Sequence, residues 1–122
     1  MKRKDIAKEF LRLAAGGKVR EAYEKYVHPD FRHHNPYFRG DRESLLLGME
    51  ESAVMFPDKI FEAVRALEDG DLVAVHGRVR LKPDSPWIAL FHIFRFEGNH
   101  IIEEWEAAQE VPPESPNKNG MF

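Results

Sequence analysis

The sequence predicts an α+β domain, with helices in the first half of the chain and an antiparallel sheet in the second. Apolar residues recur at helical spacing up to about residue 56, and from residue 59 onward they alternate with polar residues. Short turn sequences separate the alternating segments, which favours a meander of hairpins. Helices that precede strands, without alternation between the two, are typical of α+β folds.

Two helices are expected before residue 30. The first begins at about Asp5 and stops at Gly16-Gly17, because glycine is common just beyond a helix end. The second runs from Lys18 to about Val27. His28-Pro29 ends it, because the residue before a proline avoids the helical region.

A third helix follows an irregular stretch. The sequence "FRHHNPYF" (residues 31–38) is expected to be extended chain or loop. Gly40-Asp41 then offers an N-cap, and Pro57 closes the helix. Four strands are predicted after it: Lys59–Glu68, Leu72–Leu81, Trp87–Glu97 and His100–Glu110.

Composition excludes several classes of protein. The chain has 122 residues, 43% of them hydrophobic and 32% charged, which fits one globular domain. A net charge of -3 gives no basic surface for nucleic acid, and no apolar run is long enough to span a membrane. The absence of cysteine excludes disulfides and thiolate chemistry, so a cytoplasmic location is expected.

Two histidines lie on different kinds of strand face. His76 alternates with Arg78 and Arg80, so this face is expected to meet solvent or a partner subunit. His92 is the lone ionisable residue on a face that is otherwise apolar. It therefore needs a hydrogen-bond partner, a water or a ligand, or it is a core histidine bonded to a backbone carbonyl.

The last strand carries carboxylates on both faces. The face with Glu103 and Trp105 has fewer charges than the face with Glu104 and Glu106, so it is predicted to point inward beside His92. Burial there would raise the pKa of Glu103, which suits proton transfer. The alternative is a structural ion pair with Arg65 or Arg32.

Several segments together resemble a known family. The matching stretches are His34-Asn35-Pro36, Glu68–His76, Ile93–Trp105, Gln109 and the closing Pro116–Phe122. With three helices followed by a meander, the chain resembles the SnoaL-like polyketide cyclase family of the nuclear transport factor 2-like superfamily. On this reading, residues 1–110 form a single domain and residues 111–122 an extended tail.

The resemblance implies a cone, in which a strongly bent antiparallel sheet wraps around three helices and leaves a pocket at its wide end. It also implies a homodimer through the outer sheet face. Relatives include aldol-type cyclases, ketosteroid isomerase, dehydratases, epoxide hydrolases and non-catalytic binding proteins. Many relatives carry an aspartate at the position of His92, and His-Trp-Asp where this chain has Glu104-Trp105-Glu106.

The function expected from this resemblance is acid/base chemistry without a cofactor on a hydrophobic carbonyl compound, as an isomerase, aldol-type cyclase or lyase. The alternative is a ligand-binding or structural dimer without catalysis. The predicted catalytic residues are His92, His34 and Glu103. The predicted substrate-binding residues are Asn35, Tyr37, Leu90, Phe94, Phe96, Trp105 and Gln109.

No metal site is predicted. Adjacent residues of an extended segment point apart, so His33 and His34 cannot easily share an ion, and no helical histidine pair or dense carboxylate cluster is visible. Only one of the two histidines can face the interior. The family match favours His34, which leaves His33 at the surface.

Overall fold

A computed structural model of the chain describes residues 1–122 and confirms the α+β class. Three helices and four of the strands lie within two residues of their predicted bounds. The helices are α1 (Arg3–Ala15), α2 (Val19–Tyr26) and α3 (Arg42–Met55). The strands are β1 (Val27–His33), β2 (Ile60–Asp69), β3 (Leu72–Arg80), β4 (Ile88–Glu97) and β5 (His100–Glu110).

The sheet has five strands in the order β1-β5-β4-β3-β2. The last four form the predicted antiparallel meander, whereas β1 is an additional strand that pairs in parallel with β5. Of the two alternatives for the stretch after α2, extended chain or loop, residues 31–33 adopt the first, and the parallel pairing of β1 corrects the expectation of a wholly antiparallel sheet. Pro29 is tolerated in β1 because an edge strand leaves one side of its backbone unpaired. The sheet is curled but not closed, as in the predicted cone.

The helices and the sheet meet in an aromatic core. The Phe10 ring lies 5.5 Å from the Tyr23 ring and 5.9 Å from the Phe94 ring, in tilted and edge-on arrangements. Phe31 of β1 joins them from the other side of Tyr23. Each aromatic residue buries a large apolar area, and such pairs add about 0.5–1.5 kcal/mol beyond that burial. This core holds α1 and α2 against the sheet.

An extra residue in β5 changes which side chains face inward. Phe96 pairs with Ile101, whereas the preceding Arg95 pairs with Glu103, so Ile102 has no partner of its own. Such a bulge shifts the alternation of side chains by one position. Glu103 and Trp105 therefore lie on the outer face. The prediction that Glu103 points inward beside His92 is wrong.

Glu103 is covered on the outer face by side chains from both neighbouring strands. Its carboxylate accepts hydrogen bonds from Arg32 (3.0 and 3.3 Å) and from Arg95 (2.8 and 3.0 Å), and it lies 2.7 Å from Nε2 of His34. The Arg32 hydrogen bonds, with those of His34 and Arg95, lower the pKa of Glu103 to about 2. The ion pair with Arg32, which was one of the two alternatives, is the one that forms.

The pairing of β1 with β5 also settles the two adjacent histidines. Arg32 lies beside Glu103 and His33 beside Glu104, so Arg32 and His34 share the outer face while His33 points inward. His33 is only 5% exposed, whereas His34 is exposed and stacks on Trp105 with ring centroids 5.0 Å apart. The predicted orientation of this pair is therefore reversed.

The Glu103→Gln substitution should lower the free energy of unfolding at neutral pH by about 1–3 kcal/mol, because it removes the charge from several hydrogen bonds. Folding lowers the pKa of Glu103 from 4.5 to about 2. Its contribution is therefore complete above pH 4.5 and is lost as the pH falls toward 2. Urea unfolding between pH 7 and pH 3 should show the difference from wild type shrinking, whereas the exposed control Glu110→Gln should show no difference. Equal stability of wild type and Glu103→Gln at pH 7 would contradict this.

Candidate acid/base site

A cavity of about 220 Å³ lies between α1, α3 and the concave face of the sheet. The apolar part of the lining comes mainly from the helices, through Phe10, Leu11, Leu45 and Met49. The Phe38 ring packs on Gly48 of α3, where a larger residue would clash with it. The polar residues of the lining are Asn35, Ser52, Lys59, His92, Glu104 and Glu106. A mostly apolar cavity with a few converging polar groups is typical of small-molecule sites.

Three ionisable side chains converge in this cavity. The register of β4 and β5 sets Glu106 directly opposite His92, and Glu104 opposite Phe94. Nε2 of His92 lies 3.1 Å from Oε2 of Glu106 and 3.6 Å from Oε1 of Glu104. His92 and Glu104 are each about 5% exposed, whereas Glu106 is half-buried and so is the most accessible of the three.

Asn35 forms a hydrogen bond with the Glu106 carboxylate through the oxygen that does not face His92. Its Nδ2 donates a 2.5 Å hydrogen bond to Oε1 of Glu106, and its Oδ1 accepts one from the backbone N–H of Tyr37. The backbone N–H of Asn35 donates to Nδ1 of His33, whose Nε2 therefore carries the proton and donates to the carbonyl of Arg39. The buried His33 thus fixes the turn that aims Asn35 at the carboxylate.

The two cavity carboxyls have pKa values shifted in opposite directions. Burial, with a smaller effect of the Glu106 charge, outweighs the attraction of His92 and raises the pKa of Glu104 to about 8. The Glu104 carboxyl makes no hydrogen bond that would favour its charge. Burial also opposes the charge on Glu106, but the hydrogen bonds and charge of His92, together with Asn35, lower its pKa. At neutral pH Glu104 is therefore neutral and Glu106 is ionised.

The pKa of His92 is likewise set by burial on one side and by neighbouring carboxyl groups on the other. Burial alone would lower its pKa, but the hydrogen bond to Glu106 and the charge of Glu106, joined by that of Glu104 once Glu104 ionises, outweigh burial and raise it. Nδ1 of His92 is buried and has no hydrogen-bond partner. Tyr23 lies nearby with its hydroxyl 3.5 Å from Sδ of Met49, and burial is the main reason that its pKa is raised as well.

Of the residues predicted from the sequence, His92 and Asn35 line this cavity. The predicted convergence of His34 and Glu103 with His92 is wrong, because the bulge in β5 turns Glu103 to the outer face and the register of β1 turns His34 there. The others lie elsewhere. Phe94 and Phe96 are in the core, Leu90 is half-buried outside the cavity lining, Trp105 stacks on His34, Tyr37 is 87% exposed, and Gln109 borders the tail.

Glu104, Glu106, Ser52 and Lys59 are the polar residues of the cavity that sequence reasoning missed. A signal for the first two was visible, because Glu104-Trp105-Glu106 stands where many relatives of the resembled family carry His-Trp-Asp. Strict alternation places both on the solvent face, and the bulge that reverses this leaves no clear mark in the sequence. Lys59 carried no signal, since one lysine after a helix is ordinary.

His92, Glu104 and Glu106 also form a group that could bind a metal ion, although the sequence predicts no metal site. A nitrogen of His92 and one oxygen each from Glu104 and Glu106 lie within 4.8 Å of one another, so the cluster could hold a cation. The statement that the chain has no dense carboxylate cluster is therefore wrong. The chemistry of the set suits a divalent ion that accepts mixed nitrogen and oxygen ligands.

The family model of the SnoaL-like domain matches residues 7–104, which is most of the chain and includes His92 and Glu104. The chain therefore belongs to the SnoaL-like family. No curated protein matches the sequence. None of the helices is both long and apolar enough to cross a membrane.

Solved structures show the same fold at low sequence identity. IdmH, a proposed polyketide cyclase from Streptomyces antibioticus, has a TM-score of 0.73 and 19% identity over 88% of this chain and 92% of its own. A proposed polyketide cyclase from Acidithiobacillus ferrooxidans has a TM-score of 0.72 and 20% identity over 88% of each chain. A nuclear transport factor 2-like protein of unknown function from Cytophaga hutchinsonii has a TM-score of 0.71 and 16% identity over 89% and 91%. These likenesses establish the cone fold.

The Glu104→Gln substitution should stabilise the protein at alkaline pH. The folded chain keeps the Glu104 proton up to about pH 8, whereas an unfolded glutamate releases it near pH 4.5. The stability linked to this proton is therefore complete below pH 4.5 and is lost as the pH rises to 8. Glutamine mimics the neutral carboxyl, so we expect near-equal stability at pH 5 and a gain of about 2–4 kcal/mol at pH 9 in urea unfolding.

Glu106→Gln is the matched control, because it changes the same cavity but removes a carboxylate whose ionised form is favoured. It should destabilise the chain at pH 7 and above, which is the opposite sign. If Glu104→Gln proved less stable than wild type at pH 9, folding would favour the ionised form of Glu104, its pKa would not be raised, and the assignment above would fail.

Proposed function

We propose that the chain is an enzyme that moves protons on a small carbonyl compound with its own side chains. One observation carries the proposal: two carboxyl groups with opposite pKa shifts lie in one cavity, with His92 next to both. Pairs of titratable groups whose environments separate their pKa values are suited to paired acid and base roles. The SnoaL-like family and its cyclase neighbours support this reaction class.

In this proposal Glu106 is the base and Glu104 the acid. The Glu106 carboxylate accepts a proton from the carbon next to the substrate carbonyl, and the electron pair of that C–H bond forms the C=C bond of an enol. Glu104, which is neutral, donates its proton to the carbonyl oxygen at the same time, so no charged enolate accumulates. The enol is then protonated at another carbon, attacks a second carbonyl, or expels a leaving group.

His92 takes a positioning role here, although the sequence favoured it as the base. Its Nε2 faces Glu106, and its Nδ1 is buried without access to the cavity. Glu106 offers the more exposed proton acceptor. His92 instead stabilises the ionised form of Glu106 and keeps the carboxylate oriented together with Asn35.

The volume of the cavity limits the size of the substrate. At about 220 Å³ it is smaller than most ligand sites, which hold roughly 300–1,000 Å³. We therefore favour a substrate of a few carbons over a multi-ring compound. An isomerase, an aldol-type cyclase and a lyase all remain compatible with this site.

The test is deuterium incorporation from D₂O next to the carbonyl of acetone, butanone and cyclohexanone, followed by proton NMR. Wild type should accelerate exchange in at least one ketone, and Glu106→Gln should reduce the acceleration about 10²–10⁴-fold, as expected for loss of a general base. Glu104→Gln should lose less, because glutamine still donates a hydrogen bond. The surface control Glu110→Gln should match wild type.

Two results would overturn this assignment. Equal exchange by wild type and Glu106→Gln, or none with any ketone, would favour the alternative, a non-catalytic ligand-binding protein of the same fold. Exchange that disappears on chelation and returns with a divalent metal would show that the cluster works through an ion rather than through its own protons.

We also propose that the chain forms a homodimer through the outer sheet face. Phe91 and Ile93 of β4 are 51% and 45% exposed there, beside the face of β3 that carries His76, Arg78 and Arg80. The Phe91 ring stacks on His76 at 4.5 Å, and Phe122 of the tail lies beyond it. Adjacent exposed apolar residues of this kind favour a subunit contact.

Sedimentation velocity at micromolar concentration should give a dimer for wild type and a monomer for Phe91→Glu, because a charge would be buried in the contact. Val54→Glu, on an exposed position of α3, should leave the dimer intact. A wild-type monomer would overturn this part. The cytoplasmic location expected from the sequence stays a prediction.

A further inference from the structure

Lys59 enters the cavity from the end of α3. Its backbone N–H donates to the carbonyl of Phe56, in the turn that follows the helix. Its side chain lines the same cavity as Glu104 and Glu106, and Nζ donates a 2.7 Å hydrogen bond to Oγ of Ser52. The lysine and the acid/base pair therefore line one cavity but come from different elements.

Lys59 forms no ion pair with any side chain of the protein. Ser52 is neutral, and no acidic side chain forms an ion pair with Nζ. The side chain is half-buried, and burial lowers its pKa without an opposing charge to restore it. Lysines are rarely withdrawn from water without a charged partner, because the desolvated ammonium is costly.

Ser52 adds a donor beside this cation. Its oxygen accepts the hydrogen bond from Lys59, which leaves the hydroxyl proton free to donate to a third group. An ammonium and a hydroxyl donor side by side match the two oxygens of a carboxylate. No acceptor from the chain fills that position.

We propose that the cavity takes a small oxo acid, whose carboxylate pairs with Lys59 and Ser52 while its carbonyl lies at Glu104. This rests on the proposed function, because it places the substrate carbonyl at the acid. Charge also sets the orientation, since the ionised Glu106 repels a carboxylate at the acid/base end of the cavity. Lys59 is thus the residue that determines specificity for an anionic substrate.

Calorimetric titration of pyruvate, acetoacetate and levulinate against their methyl esters tests the inference at pH 7. For at least one pair, wild type should bind the acid about tenfold more tightly than the ester, as expected for one charge-assisted contact. Lys59→Met should abolish this preference and Lys59→Arg should retain part of it. Lys118→Met, which removes an exposed charge from the tail, should behave as wild type.

Equal affinity for acid and ester, persistence of the preference in Lys59→Met, or no binding of any of the three acids would overturn the inference. Circular dichroism of both Lys59 variants distinguishes a lost contact from a lost fold. The outcome is separate from that of the proposed function. Exchange of neutral ketones that depends on Glu106 would survive a failure here, and a Lys59-dependent preference for acids would survive if Glu106→Gln left exchange unchanged.

Discussion

The extra residue in β5 is the constraint on which the rest of the site depends. Ile102 has no partner in β4, so every side chain after it is exchanged between the two faces of the sheet. Glu104 and Glu106 thereby enter the cavity opposite His92, and Glu103 leaves it. Without this bulge the concave face would present Glu103 and Trp105, and His92 would have no carboxylate across the strand.

The hydrogen bonds of Glu103 on the outer face stabilise the bulged register of β5. On the outer face its carboxylate is held by Arg32 from β1 and Arg95 from β4, with His34 as a third partner. These bonds join the parallel edge strand to the meander and fix the register that also turns His33 inward. The same register places the carboxyls in the cavity, since residues on adjacent positions of a strand must face opposite ways.

The helices, the meander and the Asp41 cap could be predicted because each leaves a local pattern. Asp41 accepts a hydrogen bond from the backbone N–H of Ser44, as its position before the helix indicates. The orientation of Glu103 could not be predicted, because no residue type in the sequence marks the bulge beside the turn between β4 and β5. The orientation of His34 could not be predicted either, because it depends on the pairing of β1 with β5, a strand far away in sequence. Only the adjacent apolar pair Ile101-Ile102 breaks the alternation at that point. The missed bulge misplaced Glu103, and the missed strand β1 misplaced His34.

Burial shifts the pKa values of the cavity residues, and it also lowers the stability of the folded protein. Glu104 lies in the interior without a hydrogen bond, and Lys59 is half-buried without a charged partner. Local conflicts of this kind tend to occur at functional sites rather than in structural cores. Here both groups line one cavity, and they need different partners. Glu104 is an acid without a hydrogen-bond acceptor, and Lys59 is a cation without an anion. A molecule that carries a carbonyl oxygen and a carboxylate would satisfy both at once, which is why the two irregularities are better explained together than as separate defects.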